Sequence, residues 1–99
     1  VIRSFANPAT EDIFNGVTPA VARRACPQVL WAAATRKLDL LDSAEQLADL
    51  RIPPGNRREA LRKDRSGQDS LRVNERYRIC FRWSDEGPES VEIVDYHSG

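Results

Sequence analysis

The chain has 99 residues, with 15 Lys and Arg balancing 15 Asp and Glu, one His, two Cys and about 40% apolar residues. That length suits one domain, residues 1–99, burying roughly two-thirds of its extended-chain surface; the expectation is a soluble chain, because no apolar run nears the roughly 20 residues of a membrane helix and VIRSF lacks the features of a signal peptide. Cys26 and Cys80 are too few for a disulfide framework, and a single histidine gives no Cys/His zinc spacing, so two reduced packing thiols in a cytoplasmic protein are expected.

Val1–Phe5 is β-branched and aromatic and stops at Asn7-Pro8, which predicts a short first strand. Asn7 can cap and Pro8 can occupy the first position of a helix through Phe14, closed by Asn15-Gly16. Thr18-Pro19 repeats that signal, and Pro27 either opens another helix or kinks a continuous one. Leu30, Ala34, Leu38 and Leu41 form one stripe, flanked by Trp31 and Leu40, on a core helix ending near Asp42. Ser43 with Gln46 fits a capping box for a further turn through Leu50. RIPPGNR, with two prolines and a glycine, is a connector.

Beyond the connector the period changes to two. Glu59 to Lys63, Ser70 to Asn74, Tyr77 to Trp83 and Val91 to Tyr96 are predicted strands, with turns at Asp64–Gln68, Asn74-Glu75 and Ser-Asp-Glu-Gly-Pro. The predicted fold class is α+β: a strand and helices, then a four-stranded antiparallel meander covered on one face by the helices. Leu71, Val73, Tyr77, Ile79, Phe81 and Trp83 should face the helices, and Arg72, Arg76, Arg78 and Arg82 should project from the other side.

The zero net charge hides a segregation. Arg51 to Trp83 holds ten basic residues (Arg51, Arg57, Arg58, Arg62, Lys63, Arg65, Arg72, Arg76, Arg78 and Arg82) against four acidic ones (Glu59, Asp64, Asp69 and Glu75). Ser84 to Gly99 holds five acidic residues (Asp85, Glu86, Glu89, Glu92 and Asp95) and no Lys or Arg. Arginines ranged along strands repel one another unless carboxylates interleave them. Only Glu75 and Glu59 are near in sequence, so a polyanion is the natural missing partner. The last strand ends in Asp95, Tyr96 and His97. If its end lies beside Arg72 and Arg78, these groups suffice for metal-free cleavage of RNA: a base takes the 2′-hydroxyl proton, the 2′-oxygen attacks phosphorus, arginines hold the added charge and an acid protonates the 5′-oxygen.

The segments PPGNR, DRSGQ, RICFRW and IVDYH, with VIRSF and LDLLDSA before them, closely resemble the HigB toxins of the RelE/ParE superfamily, over nearly the whole chain. The resemblance implies a bacterial cytoplasmic toxin that cleaves mRNA in the ribosomal A site, an endoribonuclease needing no cofactor or metal. It also implies neutralisation by a HigA-like helix-turn-helix antitoxin, operator DNA being reached only through that antitoxin. The implied active site holds Arg72 and Arg78 as phosphate binders, Asp95, Tyr96 and His97 at the end of the last strand, and Glu59 and Arg62 on the strand after PPGNR. Some family members place a histidine and a lysine near the latter two positions. Glu59 can still serve as a base, whereas Arg62 can only bind phosphate. Arg57, Arg58, Arg62, Lys63, Arg65 and Arg76 are expected to dock RNA around that centre. The alternative carried by the same fold is a ParE-like inhibitor of DNA gyrase, which needs no DYH terminus.

Overall fold

The computed structural model describes residues 1–16, 19–52, 54–61 and 65–95. Arg62, Lys63, Asp64, Tyr96 and His97 lie outside the described residues, and with them the far ends of the first and last predicted strands of the meander.

Helix α1 (Pro8–Asn15) begins as its sequence requires. The Asn7 side chain accepts from the Thr10 N–H, Pro8 takes the first turn, and Gly16 closes it in a left-handed conformation (φ 70°). A short α2 (Pro19–Ala22) follows, and Pro27 opens rather than kinks: it precedes a 3₁₀ turn, Gln28–Leu30, that runs into α3 (Trp31–Ser43). Ala34, Leu38 and Leu41 of the predicted stripe are fully buried. The capping box that follows is shifted from the expected pair. Ser43 Oγ turns back to the Leu40 carbonyl, and Asp49 accepts from the backbone N–H groups of Glu45 and Gln46 to start a 3₁₀ turn, Leu47–Arg51.

The sheet is the predicted antiparallel meander, in the order β1 (Glu59–Ala60), β2 (Asp69–Arg72), β3 (Tyr77–Ser84) and β4 (Gly87–Asp95). The architecture is α+β, with helices packed on one sheet face. Leu71, Ile79, Phe81, Val91 and Ile93 bury that face against Ile13, Leu38 and Leu41, while Tyr77 and Trp83 pack half-buried at its ends. Thr10 Oγ1, wholly buried, accepts from the Ile93 N–H at 3.0 Å and pins α1 to β4.

Val1–Phe5 is not a full strand. It runs parallel to β4 through one bridge, Phe5 with Val91, and the bonds Arg3 N–H to Pro88 O and Ala6 N–H to Val91 O. Strand β4 itself is bulged on its β3 side: Cys80 pairs with Glu92 but Arg82 with Glu89, and Ser90 takes a left-handed backbone (φ 54°). Gly87 (φ 127°) opens β4 where a Cβ would come within 2.6 Å of the Val1 carbonyl. Strand β4 accordingly starts four residues earlier than its apolar run suggested, leaving a tight turn at Asp85-Glu86.

Candidate functional site

Register settles which side chains share the face turned away from the helices. Across it, Glu59 pairs with Ser70, Ser70 with Cys80 and Cys80 with Glu92, while the next row places Arg72 opposite Arg78 and Arg78 opposite Val94. Arg72, Arg78 and Glu59 therefore lie on one face, as the alternation of the sequence requires.

They do not form one solvated row with Arg76 and Arg82, and that expectation is corrected. Arg78 is only 8% exposed. Its Nε donates to Ser70 Oγ at 2.6 Å, and Nη2 donates to the backbone carbonyl of Arg57, because the connector folds back over the strand pair. Arg72 is half-buried, and no hydrogen bond or ion pair engages its side chain among the described residues. Arg76 precedes β3, in the turn closed by Asn74 Oδ1, which accepts from the Arg76 and Tyr77 N–H groups. Arg82 is exposed on β3 beside the 65–68 turn, its Nη1 lying 2.8 Å from where a Cβ at Gly67 (φ 87°) would stand.

Carboxylates neutralise the basic segment more fully than sequence proximity suggested. Asp95 takes both Arg76 Nε (2.8 Å) and Nη2 (2.7 Å). Asp69 takes Arg58 Nη1 at 2.8 Å, with both side chains under 20% exposed. Glu92 takes Arg65 Nη1 at 2.8 Å, and Gln68 accepts from the same nitrogen. The three partners come from β2 and β4, distant in sequence. The Asp95 hydrogen bond, and then its charge, hold the Arg76 guanidinium proton more tightly than usual. Arg58, Arg65 and Arg76 are thus tied to the protein itself. Among the described residues, Arg57, Arg72 and Arg82 keep side chains without an ion pair.

Asp95 is not brought onto the arginine face. It is in register with Tyr77, on the parity of Ile79 and Phe81, whereas Arg78 faces Val94. Its bidentate bond to Arg76 fixes the end of β4. Glu59 is exposed at the sheet edge on the same face as Ser70, its side chain making no hydrogen bond among the described residues.

Cys80 lies in the middle of this face, fully buried. Burial pushes its thiol up most; Glu92 adds to the rise, while Arg65 and Arg78 oppose it. A thiol held protonated in this way is no nucleophile near neutrality. Among the described residues no group of three or more His, Cys, Asp or Glu side chains could hold a metal ion, and no helix is long and apolar enough to cross a membrane.

Sequence reasoning missed Ser70 and Asn56. Ser70 shares its parity with Arg72, a signal that was legible. Asn56 sits in a run read only as a connector, yet it is fully buried.

Residues 20–97 match the family model described as RelE-like toxin of type II toxin-antitoxin system HigB. Over 62 residues the chain is 48% identical to Toxin HigB-1 of Vibrio cholerae, an alignment covering 63% of this chain and 65%, just under two-thirds, of that protein's length. It is 33% identical over 72 residues to an uncharacterized protein of Haemophilus influenzae, covering 73% of this chain and 70% of that one.

Proposed function

The chain belongs to the HigB family of RelE-like toxins of type II toxin–antitoxin systems, and from that premise we propose that it is a ribosome-dependent endoribonuclease that cleaves mRNA in the A site and so stops translation. The observation that carries this reading is the juxtaposition of Arg72 and Arg78 on one sheet face, with neither guanidinium bonded to a carboxylate among the described residues. Two like charges held side by side gain most from a doubly bonded anion such as a phosphodiester.

In the proposed reaction, Arg78 stabilises the charge that builds on the phosphorane oxygens, because its guanidinium is oriented in advance by Ser70 and the Arg57 carbonyl. Arg72, less constrained, follows the phosphate. The 2′-hydroxyl is the nucleophile. Its proton passes to a base, for which Glu59 stands on the right face, and the leaving 5′-oxygen takes a proton from an acid. His97 and Tyr96, which follow Asp95 in the chain, are assigned to this proton traffic on the family resemblance. Asp95 serves by holding Arg76 rather than by meeting substrate. Arg57 and Arg82, with Arg62 and Lys63, dock RNA around the centre. A HigA-like helix-turn-helix antitoxin in the bacterial cytoplasm is the proposed restraint.

Primer extension on mRNA translated in a purified system tests the reading. Wild-type protein should give discrete cuts that depend on ribosomes, and His97→Ala should lower the rate by roughly 10²- to 10⁴-fold, as removal of one acid/base group does. Uncut message with wild-type protein would overturn the proposal. Cleavage by folded His97→Ala at the wild-type rate would remove His97 from it.

A further inference from the structure

The connector between the helices and the sheet contains an amide that is too well bonded for a loop whose only task is to join them. Asn56 is 0% exposed. Its Oδ1 accepts from Lys37 Nζ on α3, and its Nδ2 donates to the Leu50 carbonyl at 3.1 Å and more weakly to the Ile52 carbonyl at 3.4 Å. One side chain thereby ties the loop to α3 and to the 3₁₀ turn Leu47–Arg51. The next residue, Arg57, has φ 44°, a left-handed backbone that a residue with a Cβ adopts only when its surroundings fix it. Its carbonyl, turned by that conformation, receives Arg78 Nη2. Its own side chain is exposed and has no ion pair among the described residues, so packing of the Arg57 side chain does not account for the strained backbone.

We propose that Asn56 is a positioning residue for Arg78, acting through the left-handed backbone of Arg57. This rests on the reading of Arg78 as the phosphate binder. The path runs from α3 through Lys37 and Asn56 to the Arg57 carbonyl, and Ser70 holds Nε from the other strand. With Nε and Nη2 both committed, the plane of the guanidinium is set before any substrate arrives. Nη1 has no hydrogen bond among the described residues and is the nitrogen left for an anion beside Arg72. An oriented donor stabilises a transition state without reorganising during the reaction, and supporting groups outside the reacting shell supply that orientation.

The test uses the full chain labelled with ¹⁵N and follows hydrogen exchange of the Arg78 Nε–H, assigned by its shift in Ser70→Ala. Arg57→Gly keeps the carbonyl and takes the left-handed backbone readily, whereas β-branched Arg57→Val disfavours it. Exchange in Arg57→Gly should stay within about twofold of wild type, while Arg57→Val and Asn56→Ala should accelerate it about tenfold or more by local opening, with the backbone amide spectrum retained. In the cleavage assay, Arg57→Val should lower the rate at saturating ribosome by about 10²-fold, the scale of one lost oriented donor. Arg57→Gly should instead raise the ribosome concentration needed for half-maximal rate. If Asn56→Ala does not fold, the two Arg57 variants decide between the outcomes. Wild-type exchange in Arg57→Val, or equal acceleration in both Arg57 variants, would overturn the proposal. If wild-type protein cleaves no message, the assignment of Arg78 to phosphate falls, and the exchange measurement still tells whether the loop holds its side chain.

Discussion

Arg72 and Arg78 stand directly opposite each other on β2 and β3, and no carboxylate among the described residues bonds to either. Like charges in that relationship destabilise a hairpin. Here the cost is contained on one side only, since Arg78 is fixed by two neutral acceptors while Arg72 is not. The two arginines should therefore respond differently to the same substitution.

Arg78→Lys should behave almost as badly as Arg78→Ala, because a single ammonium cannot meet both Ser70 Oγ and the Arg57 carbonyl in the fork geometry of a guanidinium. Single-turnover cleavage should fall about 10²- to 10³-fold. Denaturant unfolding should show a loss of about 1–3 kcal/mol from a buried acceptor left unpaired. Arg72→Lys, with no such partners, should keep most of its activity.

Ribosome binding should depend on salt through the uncommitted cations. Arg57→Ala and Arg82→Ala should each reduce the magnitude of the log–log salt slope by about 0.7–0.9, the value of one lost phosphate contact. Arg65→Ala, whose guanidinium already belongs to Glu92 and Gln68, should lower stability and leave that slope unchanged. A titration of affinity against salt separates the two groups.

Antitoxin binding should be indifferent to the arginine face. Of the acidic side chains on the helical half, Asp42 is engaged by the Ile2 N–H, and Asp49 by the Glu45 and Gln46 N–H groups. Glu11, Asp39 and Glu45 are exposed and outside any ion pair among the described residues. Asp39→Lys should weaken a HigA-like partner. Arg72→Glu should leave its affinity within error, provided neutralisation acts by making the complex too large for the A site. Calorimetric titration of both variants checks the contrast.

The thiols should be silent in the native protein. Burial pushes Cys26 up to about 11 and raises Cys80 as well, and neither is accessible. A disulfide reagent at pH 8 should react with neither until the chain unfolds. Because the unfolded Cys26 thiol ionises first, its contribution to stability is complete below about pH 9 and is lost between there and about pH 11, and the raised Cys80 thiol acts in the same direction. Equilibrium unfolding across that range should show the decline.

What the sequence disclosed depended on whether the cause was local. Tyr77–Ser84 alternates because one face packs on the helices, so its strand and parity were legible, and with them the shared face of Arg72 and Arg78. The buried stripe of α3 was legible for the same reason. The pairing of Arg76 with Asp95 was not, since it joins positions 19 apart through a register that only the folded hairpin defines. Burial of Arg78 was hidden too: it is caused by a backbone carbonyl 21 positions away, and a carbonyl leaves no trace in residue identity. Ser84–Ser90 misled because β4 pairs back to Ser84 from Gly87 onward, and the glycine that reads as a turn signal is there required by the Val1 carbonyl, far outside the window in which a turn is judged.

That contact at Val1 belongs to a closure with a kinetic consequence. The meander β2–β4 is made of neighbours and can zip up by short loops, but Ser4 Oγ receives the N–H of Ser90 across 86 positions of chain. Bringing segments 86 positions apart together carries a large loop-closure entropy before it returns any contact energy. During synthesis the helices are complete while their sheet is not, and Thr10 waits for the N–H of Ile93. The order of emergence thus imposes a delay between making the α3 end of the Arg78 support and making the strand it acts on. The face that carries Arg72 and Arg78 is therefore completed only after β4 has followed the helices and β2 out of the ribosome.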